Sequence, residues 1–173
     1  MSILRSCALA LLLLLAAAPA QAGAKVGKPA PNFVIVTYEG EQVPFGSLRG
    51  KVVILNYWAT WCAPCRNEIP EIDRFVRRHR GAPLAVYAIT LDKNVPYTRL
   101  RFLGDTLKFP LVEKLKGGGY GPIKGAVPTN YVIDKAGVVR YAKAGAFTAA
   151  GLEALVTPML AEPAPQEAAA AAP

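Results

Sequence analysis

Apolar positions along this chain switch between two periods, and the switching lays out its elements. Lys51 to Ala59 (KVVILNYWA) is an almost unbroken apolar run with the length of a buried strand, and from Arg66 to Arg80 apolar residues recur at helical spacing. Ahead of them, Phe33 to Tyr38 and Gln42 to Phe45 are joined across Glu39-Gly40-Glu41 and predict a β-hairpin. Beyond them come a strand at Leu84 to Thr90, a helix from Tyr97 to Thr106 and a short strand at Phe109 to Val112. Thr129 to Ile133 and Val138 to Ala142 flank Asp134-Lys135-Ala136-Gly137, a strong hairpin signal. Thr148 is placed to cap a last helix running to Leu160. Strands that alternate with helices and end in a hairpin and a helix imply an α/β sandwich with a mixed sheet. On the central strand Trp58, Asn56 and Ile54 share one face and Tyr57, Leu55 and Val53 the other, so both aromatic residues are expected to be structural.

The two ends read differently. One charge, Arg5, precedes the short apolar stretch Cys7 to Ala18, and Ala20-Gln21-Ala22 offers small residues for cleavage, so residues 1–22 are expected to be a secretory signal peptide. The apolar stretch is shorter than the roughly 20 residues that span a bilayer, which leaves a retained anchor as the alternative. Cys7 precedes this stretch instead of following it, which argues against a lipoprotein. Residues 23–160 form one domain, long enough to bury about two-thirds of its unfolded surface without staples. The Ala/Pro/Glu tail at 161–173 has too little apolar variety to pack and is expected to be disordered. Loss of Arg5 with the signal lowers the net charge from +8 to +7. The basic residues are spread along the chain without a base-stacking motif, so nucleic acid is not an expected partner. The cluster Arg77-Arg78-His79-Arg80 is most simply a helix end, where cations complement the dipole.

Chemistry concentrates at Trp61-Cys62-Ala63-Pro64-Cys65. Cleavage of the signal leaves Cys62 and Cys65 as the only thiols, with no third one to mispair, which suits an envelope compartment where disulfides form. Two thiols so spaced close and reopen a small disulfide. Cys62 falls at a helix N-terminus, where unpaired N–H groups and the macrodipole favour thiolate, and it is therefore expected to be the exposed nucleophile. Structural zinc needs about four ligands, but Cys7 and His79 are the only further cysteine and histidine. No metal site is expected. Covalent haem attachment fails because Arg66, not histidine, follows Cys65. A permanently closed structural disulfide is the remaining bland reading. The run Gly117-Gly118-Gly119-Tyr120-Gly121 lacks a following Gly-Lys-Ser/Thr and a strand leading into it, so it is taken as a flexible loop and, with Pro122, a candidate rim of a client groove.

NYWATWCAPC followed by Arg66-Asn67-Glu68-Ile69-Pro70, together with Val127-Pro128-Thr129 before an apolar strand ending in Asp134, resembles the thioredoxin superfamily and, more narrowly, the TlpA/ResA-like periplasmic thiol-disulfide reductases. The resemblance implies a thioredoxin-like fold, a mixed central sheet flanked by helices, with an N-terminal β-hairpin and a central α/β insertion at Leu84 to Val112. It implies that Cys62 attacks a client disulfide and that Cys65 resolves the mixed disulfide. Where many thioredoxins carry a buried aspartate this chain has Asn56, which takes no proton, and Glu68, three residues after Cys65, matches a glutamate that ResA-like members carry near their cysteines. Glu68 is accordingly the candidate base, against its ordinary reading as an acidic residue in the first turns of a helix. Pro128 is implied to be cis and to face the cysteines, with Val127 pairing an extended client by strand addition and Trp61 giving apolar contact surface.

The implied activity is reduction of disulfides in envelope clients, often in cytochrome c maturation. Electrons would come from a membrane donor of the DsbD or CcdA type, and the chain would work as a periplasmic monomer without a cofactor beyond the Cys62/Cys65 disulfide. Two alternatives stay open: an oxidase or isomerase running the same exchange the other way, and a Cu(I)-handling module using the two soft thiolates. A peroxidase of related fold is less attractive, since the reactive thiols lie in CxxC and not in a lone-cysteine pocket.

Overall fold

The computed structural model describes residues 24–93 and 95–165. The expected signal peptide and most of the Ala/Pro-rich tail lie outside the described residues. Among the described residues, no helix is long and apolar enough to cross a membrane.

Seven strands form one mixed sheet: β1 (Phe33–Thr37), β2 (Gln42–Pro44), β3 (Val52–Trp58), β4 (Leu84–Thr90), β5 (Leu111–Gly117), β6 (Thr129–Ile133) and β7 (Val139–Ala144), in the order β2-β1-β5-β4-β3-β6-β7. Three helices accompany them: α1 (Ala63–Arg78), α2 (Tyr97–Thr106) and α3 (Ala149–Ala161). This is the thioredoxin-like architecture the sequence implied. The almost unbroken apolar run became β3, buried along its whole length, parallel to β4 and antiparallel to β6. A strand covered on both faces is built mainly of apolar side chains, and in β3 only Asn56 departs from this. Ile54 and Trp58 enter a core shared with Ile69, Ile72 and Phe75 of α1 and Leu152 and Val156 of α3. Val53, Leu55 and Tyr57 enter a second core with Phe33, Phe45, Tyr131 and Ile133.

Two elements extend well past their expected bounds. The strand expected at Phe109 to Val112 is β5, Leu111–Gly117, which runs directly into the glycine-rich segment. Its later half, Glu113-Lys114-Leu115-Lys116, is polar and reads as loop, yet β1 pairs with it antiparallel from Val36↔Lys114 to Phe33↔Gly117. Backbone hydrogen bonds, which do not depend on side-chain polarity, hold it in the sheet. In this way the insertion joins the N-terminal hairpin to the central strands. At Gly117 (φ +126°) a Cβ would sit 2.6 Å from the Asn32 carbonyl oxygen, so the chain can turn away there only as glycine. The other element is α1, which starts three residues before the periodic segment because Cys62 caps it, and which continues through Pro70.

Candidate redox site

The site forms where β3 ends and α1 begins. Thr60, in the connecting turn, is fixed by Asp92 beyond the end of β4, whose carboxylate accepts from the Thr60 backbone N–H at 2.8 Å and from its hydroxyl at 2.9 Å. The Cys62 N–H donates to the Ala59 carbonyl at 3.1 Å, closing the turn. Cys62 then serves as N-cap of α1: its Sγ accepts the Cys65 backbone N–H at 3.2 Å. Such a contact satisfies a helix-end donor and favours negative charge on sulfur. Pro64 stands in the first turn, where a missing N–H removes no intrahelical bond.

Cys62 and Cys65 form a disulfide, with Cα atoms 5.3 Å apart. The expectation that Cys62 would be exposed is corrected: the residue retains 4% of its surface, and Cys65 none. The outer sulfur is covered by the Val127 segment, whose carbonyl oxygen lies 3.6 Å from it. Trp61, its chain neighbour, is 67% exposed.

Val127 and Pro128 come to the site at the start of β6, the strand paired antiparallel with β3. The Val127–Pro128 bond is cis, and the segment is held by the Thr129 hydroxyl, which donates to the Ala126 carbonyl at 2.8 Å, and by the Gly145 N–H, which donates to the Pro128 carbonyl at 2.8 Å. Of the residues singled out in the sequence, Cys62, Cys65 and Val127 are thus brought together directly. The glycine-rich segment goes elsewhere: Tyr120 packs on Phe33 and Tyr131 in the second core, and its hydroxyl donates to the Pro31 carbonyl at 3.1 Å.

Glu68 lies one turn below Cys65 on α1 and is 1% exposed. A buried carboxylate is costly unless hydrogen-bonded, and this one is held by three neutral donors. Oε1 accepts from Asn130 Nδ2 and from the Phe147 backbone N–H, both at 2.6 Å, and Oε2 accepts from Asn56 Nδ2 at 2.8 Å. Asn56 also donates to Asn130 Oδ1 at 2.8 Å, its partner across the β3–β6 pair. Burial pushes the Glu68 carboxyl above its ordinary range, and the bonds from Phe147, Asn130 and Asn56 pull part of the way back. Asn56 Oδ1 is buried without a partner.

Asn56 therefore has a role the sequence did not suggest: unable to take a proton itself, it holds the residue that can. Asn130 and the Phe147 N–H were also missed. Asn130 carries a usable signal, an amide two residues after Pro128 inside an apolar strand. Phe147 carries none, because its contribution is backbone.

Residues 26–142 match the AhpC/TSA family. Thiol-disulfide oxidoreductase ResA of Bacillus thuringiensis (strain Al Hakam) is 34% identical over 120 residues, 66% of this chain and 67% of that one. Thioredoxin-like protein YneN of Bacillus subtilis (strain 168) is 32% identical over 136 residues, 77% of this chain and 79% of that one. Among solved structures, a thioredoxin-family thiol:disulfide interchange protein from Chlorobium tepidum TLS superposes with a TM-score of 0.63 at 28% identity, covering 80% of this chain and 99% of that one.

Proposed function

From the premise that the chain belongs to the AhpC/TSA family, as a thiol-disulfide oxidoreductase of the ResA type, we propose that it reduces disulfides of client proteins in the periplasm, apocytochromes c among them. The observation that carries this reading is the Cys62–Cys65 disulfide at the start of α1, with Cys62 as its N-cap, one turn above the buried Glu68.

The reduced protein starts the cycle. Cys62 thiolate, stabilised by the Cys65 N–H, attacks one sulfur of the client disulfide; that S–S bond breaks, and the second client sulfur leaves as thiolate and takes a proton. Cys65 must then lose its own proton to attack Cys62 Sγ. Glu68, one turn away on the same helix, is the base, and its raised pKa brings it nearer to that of a thiol than an ordinary carboxylate would be. Once protonated, Glu68 gains an O–H that needs an acceptor, and the unpartnered Asn56 Oδ1 supplies one after rotation of its amide. Cys65 thiolate then bonds Cys62 Sγ, the Cys62–client S–S bond breaks, and the departing client thiolate takes up a proton as Glu68 releases its own, which leaves the reduced client and the Cys62–Cys65 disulfide, two electrons having passed to the client. A dithiol of a membrane donor of the DsbD or CcdA type returns them.

Trp61, Val127 and Pro128 form the client-contacting surface, with an extended client segment running beside the Val127 backbone. The signal peptide expected from the sequence of residues 1–22 and the reliance on a CxxC pair support the periplasmic location. No resident metal or cofactor is needed for these steps, and a monomer contains every group they use.

The test is trapping. Cys65→Ser leaves the mixed disulfide on Cys62 unresolved, so mass spectrometry of adducts from the envelope identifies client and donor. Recovery of no adduct would overturn the reading.

A further inference from the structure

Between the start of α1 and the inserted α2 lies an open groove of about 330 Å³, built from Trp58, Ile69, Pro70 and Leu103, with Arg66 and Arg99 among its lining residues. It adjoins the redox pair, since Arg66 follows Cys65 directly and Trp58 ends the strand that leads into the motif. Its charge sets it apart from the rest of these two helices. Arg74, Arg77 and Arg78 of α1 are paired with Glu71, Asp73 and Glu153, and Arg101 of α2 with Asp105. Among the described residues, no carboxylate lies within 4.0 Å of Arg66 or Arg99.

Arg66 is held in place by its Nη1 donating to the Thr60 carbonyl at 3.2 Å. Asp92, the acid tied to that wall, has both oxygens engaged by Thr60 and Thr90. Two exposed apolar side chains stand on the segments that supply the groove. Phe102, three residues after Arg99 and so on the same side of α2, is 85% exposed, and Trp61 is 67% exposed beside the nucleophile. Two open cations over an apolar floor complement a peptide that presents carboxylates next to an apolar side chain.

We propose that this groove seats an acidic, apolar segment adjoining the client cysteine, so that the enzyme selects client disulfides flanked by Asp or Glu. The proposal rests on the reductase reading and names its substrate class. Docking there places the client sulfur beside Cys62, and the exchange that follows is the one already balanced above.

The experiment uses the full chain, reduced with dithiothreitol and desalted, against two peptide disulfides that differ only in carrying Glu or Gln on either side of a Cys-Leu pair. At low salt the Glu peptide is expected to react about tenfold faster, and the ratio to shrink as salt screens the pairing. The double variant R66Q/R99Q is expected to bring the ratio close to one. Equal rates with the wild type, or an undiminished ratio in the double variant, would overturn the groove while leaving the reductase reading intact. Reduction of neither peptide would instead fail the reductase reading itself and this proposal with it. A stable dimer in sedimentation that dissociates on Phe102→Ser would also overturn it, because a second copy would then be the occupant.

Discussion

Glu68, near the start of α1, and Glu153 of α3, paired with the residues at its end, sit in environments that drive them in opposite directions. Glu68 is buried among neutral donors, and burial raises its pKa. Glu153 of α3 faces the other end of the helix at the surface, where Arg78 donates to it at 2.8 Å and His79 lies 3.1 Å away, and its pKa falls to about 2, chiefly through Arg78. The same carboxyl is drawn towards its protonated form at one end and held as a fixed negative charge at the other. The difference lies in what surrounds it: a charged partner holds the ionised form, whereas burial among amides leaves the proton free to come and go.

The largest expected effect of breaking this contrast comes from Glu68→Gln. Removing the base should slow thiol exchange by about a hundredfold and shift the Cys62 and Cys65 titrations while the fold is retained; stopped-flow reduction of a peptide disulfide and thiol alkylation against pH measure both. The variant also has a thermodynamic signature. A folded-state pKa above the unfolded one means that the native protein holds a proton the unfolded chain has lost, so stability falls as pH rises from the ordinary carboxylate range to the raised value. In the Gln variant that slope disappears, as denaturant melts across this window will show.

A smaller effect is expected from Asn130→Ala. It deprives Glu68 Oε1 of one of two donors and Asn56 Nδ2 of one of two acceptors, at about 1–3 kcal/mol for the unsatisfied buried groups. Glu68 should titrate still higher, moving the acid limb of the pH–rate profile upward. The smallest effect belongs to Glu153→Gln. Its pairs with Arg78 and His79 are exposed to screening, so the loss in chemical denaturation should be at most about 1 kcal/mol and should shrink with salt. Its sign is opposite to that of Glu68: a depressed carboxyl stabilises above its unfolded pKa, and the contribution is lost as pH falls towards about 2. Exchange kinetics should not change.

These contrasts also mark how far the chain could be read without coordinates. Periodicity located β3 because it is buried along its whole length, and α3 because Thr148 caps it by accepting the Gly151 N–H at 3.0 Å. Periodicity failed for the later half of β5, where the strand is held by backbone pairing with β1 and its side chains are polar. The redox pair was legible because thiol chemistry needs a local spacing. The Glu68 cradle was not, since it is assembled from β3, β6 and the segment before α3 across 79 positions, and one of its donors is a main-chain N–H. Nor was the burial of Cys62, which depends on the distant Val127 segment.

The reductive direction of the Cys62–Cys65 couple is the central claim, and its redox potential tests it most directly. Equilibration of the full chain with dithiothreitol buffers, followed by alkylation of free thiols, should give a midpoint nearer about −270 mV than about −120 mV. A value at the oxidising end would contradict the account and make the protein a donor of disulfides instead.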